Sequence, residues 1–340
     1  MPFTKFTNLD FDQIKTSIKD YLRANSTFTG FDFEGSNFSV LIDTLAYNTY
    51  ITAFNSNMIV NESFLDSATL RENVVSLARN IGYVPRSRTA AEARISFIAS
   101  LGTTDPGSSI ATLQAGLVCT GNATDTSYIF SVSENISSPI VKVNGTYQAS
   151  FSNIGIKEGT FITKTFTADT SLDQRFILDN TGIDTSTIRV YVNSASAADQ
   201  NALGNEYSLV ENILNVDSTS EIFLIQEIQD EKYELLFGDG HIGKKLENES
   251  VITVQYIITD GKEGNGIGSP TNSFSFSGKI VSINPYNSQY TPLTLTLSPT
   301  VITNQASQNG SDIEEVSSIK YYAPRVYSSQ YRAVTPRDYE

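Results

Sequence analysis

Residues 92–99 read Glu92-Ala93-Arg94-Ile95-Ser96-Phe97-Ile98-Ala99, and the apolar period changes there. Before this stretch, apolar residues recur every three or four positions. From Ala93 onward, Ile95, Phe97 and Ala99 recur every second position, the signature of a half-buried strand. The change of period divides the chain into a helical N-terminal segment and a β-rich body.

Upstream, residues 10–83 predict three helices. Asp10 with Gln13 reads as a capping box, followed by the narrow stripe Phe11, Ile14, Ile18 and Leu22. The second helix is expected from about Ser36 to Met58. Its apolar residues, among them Phe38, Leu41, Leu45, Tyr50, Phe54 and Met58, wrap most of the circumference. Such a helix needs burial on nearly all sides. Two short neighbours do not provide that, so helices of another chain are the expected cover. The partner-helix interface is therefore placed on Phe11, Ile14, Ile18, Leu22, Phe38, Leu41, Leu45, Tyr50, Phe54 and Met58. Thr69-x-x-Glu72 reads as a capping box for a third helix, which Gly82 and Pro85 close.

Downstream, period-two alternation recurs at Ile188/Val190/Val192, at Ile252/Val254/Tyr256/Ile258, at Phe274/Phe276 and at Leu293/Leu295/Leu297. Turn signals separate these runs, as at Asp105-Pro106-Gly107, Asn144-Gly145 and Asn180-Thr181-Gly182. No helical pattern longer than two turns interrupts residues 93–300, so mainly antiparallel sheets in a sandwich or barrel-like body are expected. Ser311-x-x-Glu314 reads as a capping box opening a helix through Lys320, with Pro324 ending it. The expected organisation is α+β: helices over 1–92, a β-rich body over 93–300, and the start of a C-terminal domain over 301–340. The final residues reach a further helix start, so a longer polypeptide is expected.

The chain has 340 residues, enough for two or three domains, and 39% hydrophobic residues, enough for packed cores. Its net charge is −14, which makes nucleic acid a poor partner. No stretch approaches the length needed to span a bilayer and no signal sequence opens the chain, so synthesis in a cytosol and no membrane partner are expected.

Catalytic signals are sparse. The single Cys119 and single His241 exclude most zinc sites by ligand number. Cys119, beside Leu117 and Val118, reads as a buried strand position. The glycine-rich run Phe237-Gly238-Asp239-Gly240-His241-Ile242-Gly243 lacks the Lys-Ser/Thr and the following helix of a phosphate loop. A hairpin turn is the preferred reading. Asp239 with Asp230 or Glu231 lacks the alternating carboxylates of a calcium loop. A glycosidase pair would need two carboxylates across a cleft, and the chain has no Trp for a sugar platform. No catalytic residue, metal or cofactor is expected. Arg71, Arg79, Arg86, Arg88 and Arg94 form a loose basic cluster. They either dock an acidic partner or pair internally with Glu62, Asp66, Glu72 and Glu92.

Three separated blocks resemble one family. The first holds Phe33-Glu34-Gly35-Ser36, Leu45-Ala46-Tyr47-Asn48 and Asn61-Glu62-Ser63-Phe64-Leu65. The second holds Phe237-Gly238-Asp239-Gly240, Gly243 and Gly264-Asn265-Gly266. The third holds Ala323-Pro324 and Arg332-Ala333-Val334-Thr335 with Asp338-Tyr339. Together and in this order they resemble the baseplate wedge proteins of T-even-type contractile-tailed phages, within the broader baseplate J-like family. The resemblance implies a structural subunit of the virion tail baseplate, without catalytic activity or cofactor. It implies homodimers, helical bundles with another wedge protein, and contacts with neighbouring wedges and hub proteins. It implies wedges linked in an inner ring around the hub, rearranging when the tail contracts. A carbohydrate-binding or tail-spike-like virion protein with hydrolase activity is the competing expectation.

Overall fold

A computed structural model describes residues 10–24, 35, 37–123, 126–197, 203–210, 216–268, 274–283 and 290–329. The last motif block, Arg332 to Tyr339, lies outside them, as do Phe33, Glu34 and Ser36. The described chain has an α+β fold, with helices first and a mainly antiparallel β-rich body after them. It divides into two compact units: residues 1–84 with 315–340, and residues 85–314.

Among the described residues, the first unit holds four helices: α1 (Phe11–Ala24), α2 (Phe38–Glu62), α3 (Arg71–Asn80) and α4 (Val316–Ser329). The Asp10 carbonyl accepts the first α1 bond, from Ile14 N at 2.9 Å, while its carboxylate accepts the Phe11 amide at 2.7 Å. α1 packs on α2, and Lys15 pairs with Asp43 between them at 2.5 Å.

The capping box expected at Thr69 does not form. Glu62, at the end of α2, takes its place: its carboxylate accepts Thr69 N at 2.8 Å, Thr69 Oγ1 at 2.6 Å, Leu70 N at 3.3 Å and Asn73 Nδ2 at 2.8 Å. A negative group at a helix start satisfies free amides and complements the helix dipole. α3 packs on α4 through a core of Ala68, Val74, Val75, Ala78, Ile319 and Ala323. Pro324 lies inside α4 and does not end it. Ile319 and Ala323, both ahead of the proline, pack on α3, and the helix continues beyond it to Ser329. The Arg325 guanidinium donates to the Tyr321 carbonyl at 2.5 Å, beside the gap that a proline leaves in the ladder.

Among the described residues, the second unit holds seventeen strands. The first six are β1 (Glu92–Gly102), β2 (Ile110–Leu113), β3 (Gly116–Ala123), β4 (Thr126–Val132), β5 (Ile136–Val143) and β6 (Thr146–Glu158). They belong to a ten-stranded sheet that is completed much later by β14 (Phe274–Phe276), β15 (Ile280–Ile283), β16 (Tyr290–Pro292) and β17 (Ile302–Gln308). The seven strands between them form a separate sheet: β7 (Thr160–Thr167), β8 (Phe176–Leu178), β9 (Ile183–Asn193), β10 (Asn205–Leu209), β11 (Ile222–Glu227), β12 (Tyr233–Phe237) and β13 (Val251–Ile258). The second sheet is thus an insertion between β6 and β14.

Each sheet closes over its own core. Ile95, Phe97, Ala99, Phe130, Phe151 and the fully buried Cys119 pack inside the first. Val190, Phe223, Leu235, Ile252, Val254 and Tyr256 pack inside the second. The second sheet curls until its edge strands meet: Phe166 of β7 packs edge-on against Phe176 of β8, and Lys164 reaches the Ile177 carbonyl at 2.9 Å. Pairing is antiparallel except between β10 and β11. Asn144 and Gly145 both take positive φ between β5 and β6, as a two-residue hairpin requires.

Three expectations need correction. Leu293/Leu295/Leu297 alternate but form no strand. Their backbone bonds scatter, with Leu293 N going to Ile280 O and Thr296 N to Ser100 O, so no ladder develops. Ser311 and Glu314 form no capping box. Ser311 pairs with Thr89, and the Glu314 carboxylate accepts the Arg86 amide at 3.0 Å. Residues 302–308, expected in a C-terminal domain, pair with β1 as β17.

Candidate functional site

The most distinctive surface belongs to α2. Ile42 and Ala46, one turn apart, are fully buried. Ile14 is the buried residue of α1, with Phe11, Ile18 and Leu22 half-buried. Phe38 and Met58 are also half-buried, whereas Leu41, Leu45, Tyr50 and Phe54 are exposed, Leu45 at 48% and Phe54 at 52%. Of the ten residues expected at a partner-helix interface, the fold therefore buries one and opens four.

The expected set omitted part of the exposed face. Val40 is 67% and Tyr47 60% exposed. Val40, Thr44, Tyr47, Ile51, Phe54 and Met58 follow each other at spacings of four and three, the seam spacing of a coiled coil. That spacing is legible in the sequence, but the apolar residues on every side of the helix hide it. Ile59, also exposed, extends a second strip with Leu41 and Leu45.

The polar residues among these strips make few demands. Thr44, Thr49, Thr52 and Ser56 each return their hydroxyl to the carbonyl four residues back, at 2.8–2.9 Å. No charged residue occurs between Asp43 and Glu62. The result is a helix surface with little polar desolvation to oppose apolar contact. Among the described residues, no helix is long and apolar enough to cross a membrane.

The basic cluster divides between the units. Arg71 and Arg79 lie on α3. In the β-rich unit, Arg88 pairs with Glu231 at 3.8 Å and Arg94 with Glu92 at 3.1 Å, while the Arg86 side chain is exposed. Glu62 serves the start of α3, as described above.

The glycine-rich run is a tight loop and not a hairpin. Asp239 Oδ1 accepts the His241 and Ile242 amides at 2.8 and 2.9 Å. These bonds hold its carboxyl below the usual range. Gly243 N donates to Asp217 O, and Gly238 bridges Lys245 in a parallel sense. A Cβ on Gly238 would lie 2.2 Å from the Gly243 carbonyl carbon, so the crossing admits only glycine. Asp239 is thus occupied in holding its own turn. Asp230 and Glu231 sit in the turn before β12, at the strand's other end, beside Lys232 and Arg88. Among the described residues, no group of three or more His, Cys, Asp or Glu side chains could hold a metal. Burial pushes the Cys119 thiol up to about 12, which leaves no thiolate at neutral pH.

Residues 10–83 match the family described as "Baseplate wedge protein gp6-like, helical domain", the same span that holds α1 to α3. Residues 162–261 match "Bacteriophage baseplate wedge protein gp6, third domain", which coincides with the inserted sheet. The chain belongs to the gp6-like baseplate wedge family. It is 28% identical to baseplate wedge protein gp6 of Enterobacteria phage T4 over 355 residues, covering 98% of this chain and 49% of that protein. The chain thus spans about half the length of this relative. A chain in the cryo-EM structure of the anti-feeding prophage baseplate, 6-fold symmetrised, overlaps 99% of this chain and 59% of its own length. That overlap has 11% identity and a TM-score of 0.30, too loose to define the fold. Both matched models describe domains of baseplate wedge proteins.

Proposed function

We propose that this chain is a structural, non-enzymic subunit of a tail baseplate wedge, and that α2 is its joint to other subunits. The observation that supports this is the open, uncharged apolar surface of α2, with Leu41, Leu45, Tyr50 and Phe54 exposed. Exposed apolar surface of this kind is stable in water only when a partner covers it. The partners are helices from a second copy and from other wedge proteins, packed as a bundle on Phe11, Ile14, Ile18, Leu22, Phe38, Leu41, Leu45, Tyr50, Phe54 and Met58. Arg71, Arg79, Arg86 and Arg88 take an acidic partner surface. Wedges joined in this way link into the inner ring around the hub and rearrange when the tail contracts.

Leu41→Asp or Leu45→Asp tests the joint. Wedge assembly from purified components should be lost, while the circular dichroism and melting of the free chain stay unchanged. Normal assembly by either variant would remove α2 from the interface.

A further inference from the structure

We propose that Asn144 is a site of spontaneous conversion to aspartate and isoaspartate, and that the fold shields the chain's other Asn-Gly pairs from the same reaction. Asparagine before glycine is chemically labile because glycine has no Cβ to hinder its own amide. The Gly145 amide gives its proton to hydroxide, and its nitrogen attacks the side-chain carbonyl carbon of Asn144. A C–N bond forms, the bond to Nδ2 breaks, and that nitrogen leaves as ammonia with a proton from water. Water then opens the five-membered succinimide at either carbonyl, giving aspartate or isoaspartate. Water and hydroxide are the only co-reactants.

Three Asn-Gly pairs occur in the chain: Asn144-Gly145, Asn265-Gly266 and Asn309-Gly310. All three asparagines are exposed, so exposure does not rank them. Hydrogen bonds do. Asn265 Nδ2 donates to the Gly310 carbonyl, and the Gly310 amide donates to Asn265 Oδ1, both at 2.8 Å. This one bridge fixes the side chain that would be attacked in the second pair and the amide that would attack in the third. The Gly266 amide is held as well, on the Ser307 carbonyl at 2.7 Å. A Cβ on Gly310 would lie 2.4 Å from the Gly261 carbonyl oxygen, so the backbone there has no room to turn.

Asn144 has none of these restraints. It sits at the tip of the β5–β6 hairpin, where Val143 pairs with Thr146. Among the described residues, no hydrogen bond holds the Asn144 side chain or the Gly145 amide. A Cβ on Gly145 would meet nothing within 4 Å, so the turn has space to rotate into the geometry of attack. That rotation opens only a hairpin tip, whereas the other two pairs must first break tertiary bonds. The product alters the turn. Aspartate adds a negative charge, and isoaspartate adds a main-chain atom to a loop whose two-residue length sets the pairing of its strands.

The test incubates the full chain in mildly alkaline buffer, folded and in urea. Each site is followed by peptide mass spectrometry, with isoaspartyl methyltransferase labelling to count isoaspartate. In the folded chain Asn144 should convert at least about tenfold faster than Asn265 or Asn309, the factor for breaking two hydrogen bonds of ordinary net strength. In urea the three rates should converge, because only the shared Asn-Gly dipeptide then governs them. The proposal is overturned if Asn265 or Asn309 keeps pace with Asn144 in the folded chain. It is overturned too if Asn144 stays intact there while converting in urea, or if it leads by the same factor in urea.

Discussion

Glu158 and Thr259 lock the two ends of the inserted sheet together. Glu158 Oε2 accepts the Thr259 hydroxyl at 2.5 Å and the Asp260 amide at 3.2 Å. Glu158 is the last residue of β6, where the chain leaves the first sheet, and Thr259 follows β13, where it returns. Glu158 is 2% exposed. Burial, then the nearby Asp260 and Glu263 charges, raise its carboxyl above the ordinary range, against the pull of the Thr259 and Asp260 bonds.

A carboxyl raised in the folded state favours folding in its protonated form. That contribution is complete below the unfolded value and is lost as pH rises through the folded one. Glu158→Gln keeps an acceptor for Thr259 and cannot ionise. It should raise the melting temperature at pH 7 to 8 and leave it unchanged near pH 4. Thermal melts across this range check the sign, and a lower melting temperature at pH 8 would contradict the burial argument.

Gly159, the next residue, has φ +124°, and a Cβ there would sit 2.2 Å from the Ile258 carbonyl oxygen. Gly159→Ala should cost about 2 kcal/mol or more, because strained backbone and a clash with fixed backbone add. Urea unfolding of the variant measures the loss.

Glu62 is partly buried, which pushes its carboxyl up, but bonds from Thr69, Asn73 and Leu70 outweigh this and bring it down to about 2. A depressed carboxyl stabilises the fold above its unfolded value, and that stability fades as pH falls from about 4.5 toward 2. Glu62→Ala should loosen the start of α3 by roughly 1 kcal/mol, the usual worth of a lost cap. Hydrogen exchange at the Thr69 and Leu70 amides should accelerate in the variant, while β-strand amides keep their protection.

Phe97 is fully buried, stacked on Phe151 at 4.9 Å and tilted against Phe276 at 4.8 Å. Phe97→Ala should cost roughly 3–5 kcal/mol, the range for emptying an aromatic site in a packed core. Calorimetry resolves whether the inserted sheet, whose core is separate, keeps its own transition.

Val40→Ala with Tyr47→Ala probes the seam that apolar residues on all sides of α2 concealed. Both side chains are exposed in the free chain, so its melting temperature should hold within a degree or two, as for most surface substitutions. Wedge assembly should weaken. A lowered melting temperature with normal assembly would assign these residues to the chain's own core.

Much of the fold was legible in short stretches. Ile95, Phe97 and Ala99 were read as one face of a strand, and all three are buried on β1. The candidate interface was legible as an excess of apolar residues on α2, but which of them stay open was not. Ile42 and Leu41 are equally apolar neighbours, and only the packing of α2 in its own unit buries the first and leaves the second half exposed. Failures came where a local signal had a distant partner. Ser311-x-x-Glu314 has the form of a cap, yet Glu314 serves Arg86, 228 residues away. Pro324 has the form of a helix stop, yet α4 runs past it to Ser329, with the Arg325 guanidinium on the Tyr321 carbonyl.

Periodicity reports the nearest few residues, and it was sufficient for the helices of residues 10–83 and the change of period at Ala93. It carries no record of which strand meets which. That residues 160–258 form a sheet inserted into another, joined where Glu158 meets Thr259 across 101 positions, was decided by tertiary pairing alone. Strand alternation looks the same whichever partner a strand takes. The choice depends on closing two separate cores and on placing a carboxyl and two glycines, Gly159 and Gly264, where no larger side chain fits.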